Sequence, residues 1–341
     1  MRNKWIMMIA VAVLVMVFMP LGSVQAAPQK VIKIKMVGTL PIGHHLTTAL
    51  IKYKEYVEQK SNGRVVVELY PAQQLYNDKD LVTVLPKGGV DMAIANLDMW
   101  AGLVPAVGFF YMPLIFESED HAFRAFHGKA GDILRGELEK KGCKALGATQ
   151  SGTLDMIFKT PVSTLEDMRG KRVRAFGQMS SYFLQSLGTA PTMMSSGEMY
   201  AALQRGTMDG AISILTSFNS RKLYEVAKYV PEIIIHPAYL YVTVANLKFY
   251  NSLPKDIQKI LSDGAMEIED YTRKTIQEET SKARKVLLAN GVTFQKISDA
   301  ELERWRKIAV PYMMSKFKEN YDPKKVDLMF EALGKERKTS K

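Results

Sequence analysis

A basic stretch in the middle of the chain has the clearest chemical potential. After the acidic and glycine-containing segment Asp167-Met168-Arg169-Gly170, residues Lys171–Ala175 form a predicted strand. Side chains alternate along a strand, so Arg172 and Arg174 should share one face. An arginine at a strand end can hold a carboxylate through two parallel hydrogen bonds. The stretch therefore indicates a carboxylate site, with a solvated basic edge strand as the structural alternative.

Motifs for catalysis are missing. The sequence contains no Gly-x-Ser-x-Gly, no P-loop, no Gly-x-Gly-x-x-Gly and no His-Glu-x-x-His. Its histidines are not spaced as a zinc-binding pair on one helix: they are His44, His45, His121, His127 and His236. We expect no enzyme, no catalytic residue, no metal and no cofactor. A secreted hydrolase stays open as an alternative, because distant residues can also assemble a catalytic site.

Strand and helix patterns alternate along the chain, which predicts an α/β fold. The predicted strands are 31–38, Val65–Tyr70, Met92–Ala95, Ala145–Ala148, Lys171–Ala175, Gly210–Ile214 and Leu240–Leu247. Helices are expected over Ala122–Lys141 and, as one long element, from Ser252 to about Asn290. Capping-box spacing marks helix starts at Ser163–Glu166 and Ser195–Glu198.

The N-terminus has the pattern of an export signal. Met1-Arg2-Asn3-Lys4 precedes an apolar run from Trp5 to about Leu21, and small residues lead to Ala26. This predicts a signal peptide over residues 1–26, cleaved after Ala26 or alternatively Ala27, and a periplasmic protein. An uncleaved anchor is the other possibility for this run. No later stretch is apolar enough to span a bilayer, so the mature protein is not expected to be membrane-embedded.

The charge and cysteine content limit the partners. Formal net charge is +11, and lysines and arginines are interspersed with acids along most of the chain. A basic field favours anionic solutes, whereas the absence of a long basic arm argues against nucleic acid. Cys143 is the single cysteine, so no intramolecular disulfide is available.

Several segments resemble a known family. Pro161-Val162 with the run from Glu166 to Arg174 is similar to the "Pro-Ile … Asp-Leu-Lys-Gly-x-Lys-x-Arg" signature of TRAP-type (tripartite ATP-independent periplasmic) solute-binding proteins of the dicarboxylate-binding kind. Further segments match in order: 70–75, 89–92, 112–116, 187–192, 198–206, 209–210 and 224–229. The resemblance covers nearly the whole chain after the signal.

The resemblance implies an architecture and a role. It implies a two-lobed periplasmic-binding-protein fold (type II-like) that closes on its ligand, with a long helix bridging both lobes. We place lobe I at residues 28–150 plus 245–341 and lobe II at 151–244. The implied partners are a small organic anion, salt-bridged by Arg174, and a TRAP-type permease driven by an ion gradient. A sensor kinase that docks the closed form is the alternative partner.

Two positions depart from the family pattern. Many members have a second arginine where this chain reads Gly152-Thr153-Leu154, and an asparagine where it has Ser213. Met156, Met193 and Met194 lie close by in sequence. We therefore expect Leu154 and Ser213 to line a less charged pocket that takes a monocarboxylate with an apolar or aromatic body.

Other candidate ligand contacts follow predicted strands, where ligands of open α/β sheets bind. They are His44, His45, Asn96, Trp100, Gln150, Phe176, Tyr239 and Tyr241. The structural alternatives are a core position for Trp100 and helix entry for the two histidines. Glu198 is expected to serve as a helix cap.

Overall fold

The computed structural model describes residues 31–338, so the expected signal peptide at residues 1–26 lies outside the described residues. The strands in this range are β1 (Ile32–Gly38), β2 (Val65–Tyr70), β3 (Met92–Ala95), β4 (Cys143–Gln150), β5 (Leu154–Phe158), β6 (Arg172–Ala175), β7 (Ala190–Met193), β8 (Gly210–Ile214), β9 (Tyr229–Glu232), β10 (Leu240–Asn246) and β11 (Thr293–Lys296).

The α-helices of the same range are α1 (His45–Lys60), α2 (Asp78–Val84), α3 (Val107–Tyr111), α4 (Glu119–His127), α5 (Lys129–Lys140), α6 (Leu165–Met168), α7 (Gln178–Ser186), α8 (Met199–Gln204), α9 (Leu215–Ser220), α10 (Leu247–Ser252), α11 (Lys255–Ala289), α12 (Asp299–Asn320) and α13 (Pro323–Lys338). Short 3-10 turns occupy Leu97–Trp100, Ser196–Glu198 and Leu223–Glu225.

The strands form two sheets, which confirms the two-lobed α/β fold. The first sheet has the order β2-β1-β3-β10-β4, and β10 runs antiparallel to both of its neighbours. The second sheet has the order β11-β9-β5-β8-β6-β7, in which β6 runs parallel to β7 and β8. We call each sheet with the helices packed on it the first lobe and the second lobe.

The C-terminal third of the chain joins the two lobes. Helix α11 packs against α1 and β4 of the first lobe and against α9, which follows β8 of the second. Strand β11 then pairs with β9 in the second sheet. Helix α12 packs on α7 and helix α13 on α4 and α5. The expected lobe boundaries placed all of residues 245–341 in the first lobe. The structure differs, because β11 forms the edge of the second sheet.

The first lobe begins with short alternations of strand and helix. Strand β1 reads Ile32-Lys33-Ile34-Lys35-Met36-Val37-Gly38, and its parallel pairing with β2 and β3 buries the apolar side chains. Helix α1 buries Leu46, Leu50, Tyr53 and Val57, which lie at helical spacing. The carboxyl ends of β1 and β3 lead into the loops that face the second lobe.

Residues that link the sheets form a two-stranded hinge. The Ser151 amide donates to the Tyr239 carbonyl at 3.1 Å, and the Tyr239 amide donates to the Gly152 carbonyl at 2.9 Å. The chain therefore crosses out of β4 and back into β10 as neighbouring, hydrogen-bonded segments.

Candidate functional site

Arg174 lies on β6 and is fully buried. Its Nε and one terminal nitrogen donate to the Met194 carbonyl at 3.1 and 3.0 Å, and the other terminal nitrogen donates to the Ile212 carbonyl at 2.9 Å. Among residues 31–338, no carboxylate lies within 4.0 Å of the guanidinium nitrogens. Burial lowers the pKa of Arg174 to about 10, although Asp78, Tyr241 and Tyr239 partly offset this effect. The arrangement is a buried cation that lacks an adjacent counter-charge.

An aromatic wall connects this arginine to the first lobe. The Arg174 guanidinium lies over the Phe176 ring, 4.4 Å from its centroid. The Phe176 and Tyr239 ring centroids are 5.0 Å apart, and those of Phe176 and Tyr241 are 6.4 Å apart. Tyr241 belongs to β10 and Tyr239 immediately precedes it, so side chains at the first sheet meet side chains of the second. The structure thus brings together four of the residues expected from the sequence.

Buried polar atoms near this wall lack hydrogen-bond partners. They include Asn96 Nδ2, Ser213 Oγ, Tyr241 Oη, Thr39 Oγ1 and Asp78 Oδ1. Each such atom costs about 1–3 kcal/mol unless it is satisfied. Ser213 shares the face of Arg174, because Arg174 is paired with Ala211 and side chains alternate along β8. Thr39 and Tyr241 border a cavity of about 10 Å³ with Leu40 and Leu46. A cavity of this size holds about one water molecule, and the unpartnered atoms can bond to water or to polar groups of a solute.

A second arginine lies at the junction of the lobes, and sequence reasoning missed it. One terminal nitrogen of Arg221 donates to the Thr39 carbonyl at 3.2 Å and to Ser196 Oγ at 2.9 Å. Burial lowers the pKa of Arg221, and the charge of Asp78 acts in the opposite direction. Asp78 Oδ2 in turn accepts from the Ser196 amide and hydroxyl at 3.0 and 2.5 Å. Two adjacent basic residues, Arg221 and Lys222, are typical of an exposed turn, so there was no reason from the sequence to expect a buried arginine here.

The adjacent histidines lie at the start of α1. His44 Nδ1 accepts from the Leu46 amide, so His44 caps the start of the helix, as the structural alternative from the sequence had it. Its Nε2 lies 3.1 Å from Thr216 Oγ1 of the second lobe. His45 Nε2 lies 3.2 Å from the Gln150 carbonyl oxygen. Burial lowers the pKa of His45 to about 4 and that of His44 well below its usual value. At neutral pH both rings are uncharged and can serve as hydrogen-bonding groups only.

The structure places three other predicted residues in a different pocket or in the hydrophobic core. Gln150 borders a different pocket, of about 240 Å³, with Gly152, Thr153 and Ile276. Leu154 is paired with Ile214 and therefore faces away from Ser213, into the hydrophobic core. Trp100 is fully buried in that core. Asp98, which lies in the same turn as Trp100, accepts a hydrogen bond from the Ser180 hydroxyl of the second lobe.

Glu198 has the capping role expected for it. Its carboxylate accepts from the Ser195 amide at 2.9 Å, and the Ser195 hydroxyl completes the capping box.

Among residues 31–338, no group of three or more histidine, cysteine or acidic side chains is arranged to hold a metal ion. Over the same residues, no helix has the length and apolar character needed to cross a bilayer.

Comparison with known proteins decides the family. Residues 36–320 match the model of the bacterial extracellular solute-binding proteins, family 7. The C4-dicarboxylate-binding periplasmic protein DctP of Rhodobacter capsulatus is 30% identical over 264 residues, which cover 76% of this chain and 79% of that protein. The chain belongs to this family. Family 7 proteins are solute receptors of transport systems, so the chain is a solute-binding protein and not an enzyme.

Solved structures share the fold of this family 7 protein. A TRAP periplasmic solute-binding protein from Desulfovibrio salexigens with bound orotic acid superposes with a TM-score of 0.85 at 22% identity, covering 89% of this chain and 99% of that one. A second, from Roseobacter denitrificans with bound β-D-glucuronate, gives a TM-score of 0.80 at 25% identity, covering 87% and 98%.

Proposed function

We propose that this family 7 protein captures a small organic carboxylate in the periplasm and delivers it to a TRAP-type permease. The observation that carries the proposal is Arg174, a fully buried guanidinium bonded only to carbonyl oxygens. A buried cation that is not bonded to a carboxylate is costly, and a carboxylate that pairs with it removes much of that cost. The carboxylate-bearing ligands of the two structural neighbours support the same class of solute.

The solute body is proposed to be polar, in place of the apolar or aromatic body expected from the sequence. Asn96, Ser213, Tyr241 and Thr39 each present a buried polar atom without a partner. Hydroxyl or carbonyl groups of a solute can bond to these atoms, which an apolar body cannot do. One face of the Phe176 ring is also already covered by the Arg174 guanidinium. Carboxylates that carry further oxygen atoms therefore fit best.

Export and delivery complete the proposal. The signal-like sequence of residues 1–26 supports transfer to the periplasm, where solute-binding proteins of TRAP systems work. Family membership supports a TRAP permease as the membrane partner. A sensor kinase remains the alternative partner from the sequence, and no observation on the described residues favours it.

The test measures thermal unfolding of the exported protein with succinate, D-glucuronate, orotate, benzoate and glucose. A ligand at 100 times its dissociation constant adds about 2.7 kcal/mol to the unfolding free energy. We expect stabilisation by an oxygen-rich carboxylate and none by glucose or benzoate. Stabilisation by benzoate alone would restore the apolar body, and stabilisation by glucose alone would refute carboxylate binding.

Arg174→Ala is expected to weaken binding of the stabilising acid by about 2–5 kcal/mol, roughly 30- to 4,000-fold, because a buried charge pair loses one partner. Isothermal titration calorimetry measures the change. The matched control is Arg172→Ala, since Arg172 lies on the same strand but is exposed and paired with Asp209. Equal affinities of the Arg174 and Arg172 variants would contradict the role of Arg174.

A further inference from the structure

Asp98 reaches from the first lobe to a helix of the second. It lies in the 3-10 turn that follows β3 and is fully buried. Its Oδ1 accepts from the Met179 amide at 3.2 Å, and its Oδ2 accepts from the Ser180 hydroxyl at 3.1 Å. Both donors belong to the first turn of α7. A carboxylate of one lobe therefore bonds to a helix start of the other.

The residue that precedes helix α7 provides no side-chain cap for the first turn of the helix. The residue before the helix is Gly177, which has no side chain to accept from the first-turn amides. By contrast, α4 is preceded by Ser118, whose hydroxyl accepts from the His121 amide within the same lobe. First-turn amides of a helix need an external acceptor, and a negative charge there also interacts favourably with the helix dipole. For α7 this acceptor comes from across the cleft.

Steric fit at Gly177 depends on the same contact. An added Cβ at Gly177 would lie 2.4 Å from Asp98 Cγ and 2.5 Å from the Asp98 carbonyl carbon. The Gly177 backbone is extended, with φ of −166°, so the conformation itself does not require glycine. The need for glycine thus arises only where Asp98 of the first lobe packs against it.

Asp98 is also connected to the proposed binding site. The Tyr239 hydroxyl lies within donating distance, 3.3 Å, of both Asp98 Oδ2 and Asn96 Oδ1. Tyr239 packs on Phe176, which carries the Arg174 guanidinium on its ring. Burial raises the pKa of Asp98 to about 6, and the hydrogen bonds from Met179, Ser180 and Tyr239 oppose that rise. The carboxylate thus depends on donors that include two from the second lobe.

We propose that Asp98 is a positioning residue that latches the closed form by capping α7 across the cleft. The latch has a function only if the cleft binds a solute, so its purpose rests on the proposed function. Separation of the lobes leaves the first-turn amides of α7 and the Asp98 carboxylate to be solvated by water. Closure restores the cap, which Tyr239 and Phe176 connect to Arg174, and so links a filled site to a shut cleft.

The test uses spin labels on the full exported protein without added solute. Glu55→Cys on α1 and Gln204→Cys on α8 place one exposed label on each lobe. Burial raises the pKa of the Cys143 thiol to about 12, so the native cysteine should not react. Double electron–electron resonance then gives the distribution of distances between lobes and the ratio of closed to open molecules.

Asp98→Ala is expected to lower the closed-to-open ratio roughly 10- to 100-fold, the usual effect of losing a hydrogen bond to a charged group. Asp98→Asn keeps an acceptor for the Met179 amide and should give an intermediate ratio. Gly177→Ala should also disfavour closure, because its Cβ would clash with Asp98 where the two lobes meet. Ser118→Ala, which removes a cap within one lobe, is the matched control and should leave the ratio unchanged.

Identical distance distributions in wild type, Asp98→Ala and Gly177→Ala would overturn the latch. Equal changes in Ser118→Ala and Asp98→Ala would do the same, because they would show a general loss of stability. The measurement needs no solute, so it is separate from the thermal-unfolding panel. A panel without any stabilising acid would defeat the proposed function while leaving the latch result as measured.

Discussion

Two arginines separated by one residue have opposite environments. Arg172 donates to both carboxylate oxygens of Asp209, at 3.0 and 2.7 Å, at the exposed start of β6. Arg174, further along the strand, is enclosed and meets only carbonyl oxygens and an aromatic ring. The alternation of side chains along a strand predicts that the two arginines share a face, but it does not predict how deeply each is buried. That depth depends on β7 and β8, which flank Arg174 and which local sequence does not place.

His236 should make the protein sensitive to acid. Burial lowers its pKa to about 4, against an ordinary value of 6.5, although a hydrogen bond to the Phe110 carbonyl offsets part of the shift. The folded state then binds fewer protons than the unfolded state between these two pH values. The stability that neutral His236 contributes is present above pH 6.5 and is lost as pH falls toward 4.

The expected size of this loss is roughly 3 kcal/mol at most. Urea unfolding of wild type and His236→Gln, followed from neutral pH to about pH 4, measures it. The variant should be less stable at neutral pH, since it loses native contacts, but should depend less steeply on pH. Parallel pH profiles for the two proteins would show that His236 does not carry the effect.

At the scale of elements, the contact between β4 and α11 is unusually close. An ideal Cβ on Gly147 would lie 3.1 Å from the Ala265 carbonyl oxygen and 3.2 Å from the Ala265 Cβ. The register between β4 and β10 also shifts beside Gly147, between Thr243 and Val244. The absence of a side chain at this position lets the long helix rest directly on the first sheet.

Gly147→Ala is therefore expected to destabilise the protein by about 1–3 kcal/mol, because the helix must move away from the strand. Gly136→Ala is the matched control: it lies on the exposed side of α5, and its added Cβ meets nothing within 4 Å. That change should stabilise by roughly 0.5–1 kcal/mol. Chemical denaturation of both variants gives the comparison, and a loss of the same size in both would contradict the close packing.

Much of the element pattern follows from sequence, and the exceptions have physical causes. Strands Val65–Tyr70, Met92–Ala95 and Gly210–Ile214 have the predicted bounds, and the long helix differs by only a few residues at its ends. The helix expected over Ala122–Lys141 is two helices, because Gly128 adopts an extended conformation between them. The cap expected at Ser163 is Thr164, whose partner is Asp167.

The candidate site is predicted in part for a similar reason. Arg174, Phe176, Tyr239 and Tyr241 belong to recognisable strand ends, and the structure brings them together. Asp98 and Arg221 are important only because the other lobe lies against them, through Ser180 and Thr39 respectively. Contacts between distant segments leave no local pattern in the chain, so sequence reasoning did not find these two residues.

At the scale of the whole molecule, charge should affect how fast an anionic solute arrives. Basic residues exceed acidic ones by 11 along the whole chain, of which Arg2 and Lys4 lie in the expected signal peptide. A positive field raises the association rate of an anion. Salt shortens the range of this field, since the Debye length is about 30 Å at 0.01 M and about 3 Å at 1 M ionic strength. The dissociation rate depends on contacts inside the cleft, where screening is weak.

The association rate of the acid found in the unfolding panel is therefore expected to fall as salt increases, with little change in its dissociation rate. Stopped-flow tryptophan fluorescence measures both rates, and association of the same acid with an acid-rich surface variant is the control. An association rate independent of salt would show that the net charge has no part in capture.

The hinge determines how the two lobes can move. Segments 151–153 and 236–239 cross side by side and are hydrogen-bonded to each other, and an added Cβ on Gly152 would lie 3.5 Å from Ile276 of α11, the third crossing. The chain also returns from α12, which packs on the second lobe, to α13, which packs on the first, so a fourth connection lies outside the hinge. Neither half can therefore be severed from the other by one cut in the chain.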